Sequence, residues 1–359
     1  MQHQSTASAN TGATSDRYAR QTLFAGIGRE GQERLLASRV AIIGCGALGT
    51  VLANNLARAG VGHLIIADRD FIEANNLQRQ VLFDEEDIAR NLPKAAAAAE
   101  KIRRVNSTIT VEPLVEDINA ENIESIVARV DLVMDGTDNF ETRYVINDAC
   151  IKAGRPWVYS GVIASYGVTM NILPGVTPCL RCVFPEMPLP GTTPTCDTAG
   201  VLNGIVGTIA SIASNEALKI LLKRDEKINH AMLWMDVWEN THDQIELPRM
   251  PNCPACDQGQ YEFLEAEESS QGTSLCGRNA VQVRPPRHAS NGDGNGAQLD
   301  LAGLAARLQE VGEVSHNEFL LRLRVDNYEL TLFPDARAII KGTDNPALAR
   351  SLYARYIGS

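Results

Sequence analysis

"RVAIIGCGALGTVLANNLARAG" (Arg39–Gly60) decides how the chain is read. "RVAII" is a short apolar run with β-branched residues, as a buried strand requires. The glycines of "GCGALG" follow at positions 44, 46 and 49, and "ALGTVLANNLARAG" continues as a helix. A strand, Gly-x-Gly-x-x-Gly and a helix make the turn on which nucleotides are held by their phosphates. The glycines admit phosphate oxygens close to the backbone, and the helix start supplies N–H donors. The turn alone fits NAD or ATP, and a glycine turn with no ligand is a third reading.

Outward from this unit the alternation continues. "HLIIAD" (63–68), "TITVEPLV" (108–115), "DLVMDGTD" (131–138) and "PWVYSGV" (156–162) read as strands. "NLPKAAAAAEKIRRVN" (91–106) and "NFETRYVINDACIKAG" (139–154) read as helices. Buried strands separated by helices predict an α/β fold: a doubly wound, Rossmann-like, mostly parallel sheet. "SYGVTMNILPG" (165–175) and "AMLWMDVWENTHDQIEL" (231–247) predict an antiparallel extension. Composition then changes: residues 262–298 are linker-rich. Residues 299–359 form a small C-terminal α+β appendix, with a helix, a hairpin turning at "DN" (326–327) and a final helix. "NAVQVRP" (279–285) is a strand that can begin it. Residues 1–16 are polar and read as a disordered tail, leaving 17–261 as the main domain.

Bulk properties narrow the function. The chain has 359 residues, 44% of them hydrophobic, enough for more than one core. A formal net charge of -11 argues against a nucleic-acid binder. The N-terminal sixteen residues have neither the basic start nor the apolar stretch of a secretion signal. "GIVGTIASIASNEALKILL" (204–222) includes Asn215, Glu216 and Lys219, so it reads as a buried helix of a soluble protein and not a membrane span. A cytoplasmic location follows, where the eight cysteines read as metal ligands or reactive thiols, not disulfides.

Which nucleotide binds is decided beyond the glycines. Asp68 ends the second strand, placed to accept ribose hydroxyl protons, which by itself favours NAD. Arg79 and Lys94 then add two cations near the same strand ends. NAD has two phosphates, already served by the turn, and further cations suit a third. Asp138 offers a strand-end carboxylate for Mg²⁺, and Asn139 can hydrogen-bond the nucleotide.

"CLRC" (Cys179, Cys182) and "CPAC" (Cys253, Cys256) are two C-x-x-C pairs that together can close a tetrahedral Zn²⁺ knuckle with no open position. Its role is then structural; a redox pair is the alternative. Cys196 lies in "TPTCDTAGVLNG" (193–204) before a predicted helix, which can lower a thiol pKa, although Asp197 opposes that. Cys45 and Cys150 read as packing residues, and Cys276 has no assigned role.

"RYARQ" (17–21), "GCGALG", Asp68 followed by "NNLQRQ" (75–80), "PK" (93–94), "DGTDN" (135–139), "CLRC", "TPTCDTAG" (193–200) and "CPAC" occur in this order. Over residues 17–258 the chain thereby resembles the ThiF/MoeB/HesA family, relatives of ubiquitin-activating enzymes that adenylate sulfur-carrier proteins. The resemblance makes 17–261 an adenylyltransferase domain. It implies ATP contacts from Gly44, Gly46, Ala47, Gly49, Asp68, Asn75, Asn76, Gln78, Arg79, Lys94, Asp138 and Asn139, with Mg²⁺ at Asp138. Ala47 departs from close relatives, which often have glycine. Arg20 would reach into the partner's site in a homodimer. Cys196 matches a cysteine that carries the activated acyl group or sulfur in some members.

The implied substrate is the C-terminal Gly-Gly carboxylate of a ubiquitin-like sulfur carrier, in thiamine or molybdopterin cofactor biosynthesis. Arg20, Arg79, Lys94, Asp138 and Cys196 are the implied catalytic set. No rhodanese-like domain follows the cysteine pairs, so a separate protein would donate sulfur. An NAD-dependent oxidoreductase and a non-catalytic scaffold for a ubiquitin-like partner are the rival readings. Neither nucleic acid nor membrane is an expected partner.

Overall fold

The computed structural model describes residues 17–138, 140–186, 199–265, 272–275, 279–283, 299–309 and 311–357. The N-terminal tail, Asn139, Cys196 and Cys276 lie outside them. The described chain divides into two compact units: 17–186 with 199–265, and 272–357.

The first unit is built on an eight-stranded sheet. Its strands are β1 (Arg39–Ile43), β2 (His63–Ala67), β3 (Thr110–Leu114), β4 (Leu132–Asp135), β5 (Trp157–Ile163), β6 (Tyr166–Ile172), β7 (Met232–Asp236) and β8 (Thr241–Ile245). Their order is β3-β2-β1-β4-β5-β6-β7-β8. The five from β3 to β5 are parallel, and β6 to β8 extend the sheet antiparallel. The doubly wound sheet and its antiparallel extension are as the sequence predicts. Strands such as β1 and β4 read as unbroken apolar runs because helices cover both faces: Val40–Ile43 and Leu132–Asp135 are all buried.

The flanking helices include α1 (Gly28–Ala37), α2 (Ala47–Ala59), α3 (Lys94–Val105), α4 (Phe140–Ala153) and α5 (Asn203–Leu221). Helix α2 stops where Gly60 adopts φ +84°, a left-handed conformation that returns its N–H to the Ala57 and Leu56 carbonyls. Helix α5 is the apolar segment read as a buried helix. It packs against α2, β5 and β6. Its buried Glu216 accepts from Asn171 Nδ2 at 2.7 Å and from the Asn229 N–H at 3.0 Å. Among the described residues no helix is long and apolar enough to cross a membrane. Helix α1 is absent from the sequence-based reading, because "GREGQERLLA" is polar and carries two glycines.

The second unit is a six-stranded antiparallel sheet, ordered β11-β12-β13-β14-β10-β9. Its strands are β9 (Gly272–Leu275), β10 (Ala280–Val283), β11 (Glu313–His316), β12 (Leu321–Val325), β13 (Tyr328–Leu332) and β14 (Ala338–Lys341). Helices α6 (Leu301–Leu308) and α7 (Pro346–Tyr356) pack Leu304, Ala305, Leu308, Ala349, Leu352 and Tyr353 onto it. The β12–β13 hairpin turns at Asp326-Asn327, with Val325 paired to Tyr328. Strand β10 is the strand read from "NAVQVRP", whereas β9 falls inside the segment read as linker-rich, where four residues are too few to show a clear alternation and the surrounding composition conceals them.

Strand order reverses between β1 and β4, the switch point where parallel sheets place ligands beyond their carboxyl ends. Three glycines make this crossing possible. Gly44 has φ +89°. A Cβ on Gly136 would stand 2.4 Å from Gly44 O and 2.9 Å from Gly49 Cα, and one on Gly49 would stand 2.0 Å from Gly44 O. The obstacles are backbone atoms, which cannot rotate aside. Gly136→Ala is therefore expected to cost about 2–3 kcal/mol or more, or roughly 5–10 °C in Tm. Gly204→Ala in α5, with no atom within 4 Å of the added carbon, should leave Tm unchanged or slightly raised. Thermal denaturation of both variants checks the contrast.

Candidate functional site

The phosphate turn opens at the start of α2. Gly46 is the N-cap and provides no side-chain cap, so the first-turn N–H groups face outward with the positive end of the helix dipole. A Cβ on Gly46 would meet nothing in the protein nearer than Gln80 Nε2, at 3.9 Å. Unlike its neighbours, this glycine leaves an opening that a ligand can approach. Ala47, the first helical residue, adopts the helix with a Cβ in place, so the departure there costs nothing in geometry.

Asp68 follows β2 beside this turn. Its Oδ2 accepts the Cys45 N–H at 2.6 Å and its Oδ1 accepts the Asp70 N–H at 2.7 Å. Burial raises the Asp68 pKa, and the nearby Lys94 ammonium opposes that rise. The Cys45 thiol is fully enclosed, and burial pushes its pKa well up, with the Asp68 charge adding to it. It is a packing group and not a nucleophile, as read from the sequence.

The cations sit around the same strand ends. Lys94 begins α3 and is buried, with Nζ 3.2 Å from Asp70 Oδ2. Arg79 is half-buried, and its Nη1 donates to the Asn75 carbonyl at 2.8 Å. Asn76 is buried, and its side chain is spent within the turn. Its Oδ1 accepts the Glu73 N–H at 3.1 Å and its Nδ2 donates to Asn75 Oδ1 at 2.8 Å. Asn75 and Gln78 are exposed, as is Asp138 after β4.

Two pairs were missed by the sequence reading. Arg69 Nη1 lies 2.7 Å from Asp117 Oδ1. Burial would lower the Arg69 pKa, but the carboxylates of Asp117, Asp70, Asp138 and Asp68 outweigh it and hold the guanidinium charged. Arg143, from α4, is buried with Nε 3.0 Å from the fully buried Asp135 Oδ2. Its Nη2 donates to the carbonyls of Thr137 and Ser160 at 2.8 and 3.1 Å. Its guanidinium lies over the Phe140 and Tyr159 rings, 5.4 and 5.3 Å from their centroids. Asp135 Oδ1 in turn accepts from the Thr137 N–H and hydroxyl at 2.9 and 2.7 Å. The residue before Asp138 is thus fixed from both sides. A signal was available: an aspartate closing the apolar run "DLVMD" needs a buried cation, and Arg143 is eight residues on.

Arg20 is exposed, in a helical turn (Ala19–Thr22) fastened to the far end of α2. Gln21 Nε2 donates to Gln32 Oε1 at 2.7 Å and to the Ala59 carbonyl at 2.8 Å. Asn106 Nδ2 joins Tyr18 Oη and the Ala57 carbonyl at 2.8 and 2.7 Å. Between Ala47 and Ala59 the helix rises about 18 Å, so the chain's own phosphate turn is beyond an arginine's reach from that anchor.

The two C-x-x-C pairs converge. Cys179 and Cys182 Sγ are 3.8 Å apart, Cys179 and Cys253 3.6 Å, and Cys182 and Cys256 3.5 Å. All four sulfurs lie within 4.8 Å of one another. A tetrahedron of thiolates about 2.3 Å from a Zn²⁺ ion has edges of about 3.8 Å, so the set fits that metal. The hydrogen bond between the Cys179 and Cys182 sulfurs pulls the Cys182 pKa down to about 5 and raises that of Cys179. The Leu180 N–H donates to Asn147 Oδ1 at 2.9 Å, which ties the first knuckle to α4.

Comparisons with known proteins show the family of the chain. Residues 18–255 match the model of the ThiF family. The chain is 41% identical over 345 residues to a sulfur carrier protein ThiS adenylyltransferase of Bacillus subtilis, covering 95% of this chain and 99% of that protein. It is 40% identical over 250 residues to a SAMP-activating enzyme E1 of Haloferax volcanii, covering 70% and 92%. Among solved structures, Escherichia coli MccB with ATP superposes with a TM-score of 0.58 at 24% identity, covering 67% of this chain and 74% of that chain. That likeness concerns the fold.

The Arg143–Asp135 pair generates a test. Arg143→Met should destabilise the protein by about 3–5 kcal/mol, because it strands a buried carboxylate. Adding Asp135→Asn should recover part of that loss. Chemical denaturation of the single and double variants checks the coupling.

Proposed function

The chain belongs to the ThiF family, and we propose that it uses ATP to adenylate the C-terminal Gly-Gly carboxylate of a ubiquitin-like sulfur-carrier protein, releasing pyrophosphate. One observation carries the reading: the family's phosphate turn is assembled at the switch point, with Asp68, Lys94 and the Asp138 loop around it. The carrier serves thiamine or molybdopterin cofactor biosynthesis in the reducing cytoplasm, and a separate protein donates the sulfur.

The chemistry needs little from the protein beyond charge and placement. A C-terminal carboxylate has an ordinary pKa of about 3.5 and is ionised at neutral pH, so no general base is required. One of its oxygens attacks the α-phosphorus. The bond from that phosphorus to the bridging oxygen breaks, and pyrophosphate leaves with the electron pair. No proton moves. The barrier is the approach of one anion to another, and Lys94, Arg79 and the α2 N-terminus lower it by holding positive charge at the phosphates. Asp68 accepts from the ribose. The exposed Asp138 carboxylate, backed by Arg69, would hold Mg²⁺, which supplies further charge neutralisation when bound. Asn75, Asn76, Gln78 and Asn139 flank the nucleotide. Asn76 does so by shaping its turn, since its amide is already engaged there. After adenylation the Cys196 thiolate would attack the acyl carbon of the adenylate, forming a thioester as the bond to AMP breaks and AMP leaves.

An NAD enzyme would leave Lys94 and Arg79 without a phosphate to serve. A non-catalytic scaffold has no use for the phosphate-handling set that this chain keeps. Arg20 completes the site of a partner copy in a homodimer, which its anchor at the far end of α2 favours.

Pyrophosphate–ATP exchange tests the proposal. Exchange should require a carrier with its terminal Gly-Gly, and equal exchange with a carrier lacking the last glycine contradicts it. Arg20→Ala and Asp138→Ala chains, each nearly inactive, should on mixing recover roughly a quarter of wild-type exchange through mixed dimers with one intact site. No recovery despite subunit exchange contradicts the composite site.

The four thiolates hold one structural Zn²⁺ per chain. Elemental analysis should find one equivalent, and Cys182→Ser should lower Tm while leaving nucleotide affinity close to wild type. A metal-free preparation with undiminished Tm contradicts this.

A further inference from the structure

Thr137 and Arg143 touch neither nucleotide nor carrier in the proposed reaction, yet every polar group of Thr137 is engaged. Its N–H and hydroxyl donate to Asp135 Oδ1 at 2.9 and 2.7 Å, and its carbonyl accepts from Arg143 Nη2 at 2.8 Å. That carbonyl belongs to the peptide that carries Asp138. One guanidinium therefore fixes the plane from which the Asp138 side chain departs. The guanidinium is itself anchored by the fully buried Asp135, with Nε 3.0 Å from Oδ2, and Nη2 also reaches the Ser160 carbonyl of β5 at 3.1 Å. Gly136 is pinned from the opposite side, since a Cβ there would stand 2.4 Å from Gly44 O. Asp135, Gly136 and Thr137 are all buried, and Asp138 is the first exposed residue of the loop. Stability does not account for this arrangement. Burying a guanidinium with a carboxylate costs desolvation that their attraction offsets only in part, and an apolar pair of the same volume is often as stable. The planar fork supplies what an apolar pair does not: a fixed position for a backbone carbonyl.

We propose that Thr137 and Arg143 are positioning residues that set the affinity of the site for its divalent cation, by holding the Asp138 carboxylate in the orientation the metal needs. The inference rests on the ATP reading and on Asp138 as the Mg²⁺ ligand. The residue present fits that ion: an exposed carboxylate is a hard oxygen donor, and Mg²⁺ is commonly held by one or two protein carboxylates together with nucleotide phosphates and water. The ion demands near-ideal octahedral geometry, so the direction of a single protein ligand matters. Thr137 and Arg143 thus act on metal affinity and not on the nucleotide itself, whose phosphates are assigned to Lys94, Arg79 and the start of α2.

The test titrates Mn²⁺, which takes the same oxygen ligands as Mg²⁺, into full-length protein saturated with α,β-methylene ATP, and follows free Mn²⁺ by electron paramagnetic resonance. Affinity for the analogue in EDTA and Tm are measured beside it. Thr137→Val keeps the shape and the backbone bonds and removes the hydroxyl. It should weaken Mn²⁺ binding by about tenfold or more, while the metal-free analogue binds as to wild type. Thr137→Ser returns the hydroxyl and should return the Mn²⁺ affinity. Arg143→Lys keeps a cation against Asp135 but cannot span the Thr137 and Ser160 carbonyls. It should show the same split, and it serves if Thr137→Val does not fold. Wild-type Mn²⁺ affinity in both variants, whatever their Tm, overturns the inference. So does an equal loss for metal and metal-free analogue, which a merely loosened fold would give. If Asp138→Ala binds Mn²⁺ as tightly as wild type, the Asp138 assignment and this inference fall while the ATP reading stands. A wild-type protein that binds no nucleotide overturns all three.

Discussion

A close approach of three backbone segments in the first unit is the constraint on which the candidate site depends. Gly44, Gly49 and Gly136 bring the turn after β1, the first turn of α2 and the loop after β4 to a separation at which no side chain fits. Without that approach, the helix N-terminus and the Asp138 loop would be held apart by at least a methyl group. The cost of closing it is met by the buried apolar residues Val40–Ile43 of β1 and Leu132–Met134 of β4, so the sheet is stiff where the two loops leave it. Gly46, in the same turn, differs: a side chain there would meet no protein atom nearer than Gln80 Nε2, at 3.9 Å.

Around this crossing the charges are arranged in two layers. The inner layer is closed: Asp135 with Arg143 beneath the Asp138 loop, and Arg69 with Asp117 beside it. Each pair satisfies itself and holds backbone in place. The outer layer surrounds the start of α2, where we propose the nucleotide binds: Asp68 is fixed by two backbone N–H groups, Lys94 leans on Asp70, and Arg79 rests on the Asn75 carbonyl. A polyphosphate entering such a site meets donors already oriented, so little reorganisation remains to oppose the reaction. The four-cysteine knuckle performs a similar service at a distance, tying the chain around Leu180 to α4 through Asn147.

Much of this was legible in the sequence because the relevant signals are local. A strand, three glycines and a helix identify the turn, and Cys-x-x-Cys twice identifies the knuckle. The hairpin at Asp326-Asn327 announces itself by alternation. What escaped depends on partners distant in sequence or on strands too short to show a period. Arg143 reads as an ordinary helical arginine until β4 places Asp135 beneath it. Lys94 reads as a free cation until Asp70 is seen 3.2 Å away. Strands β9, β11 and β14 have four residues each, and β9 stands in a polar, glycine-rich stretch.

The proposed reaction joins AMP to the carboxylate of a carrier protein at the switch point. Intact-mass spectrometry measures this directly. A carrier ending in Gly-Gly, incubated with the protein, ATP and Mg²⁺ and quenched rapidly, should gain the mass of one adenylyl group at its C-terminal glycine. The adduct should disappear when excess pyrophosphate is added. A carrier whose mass stays unchanged, while the protein demonstrably binds both it and ATP, would contradict the claim.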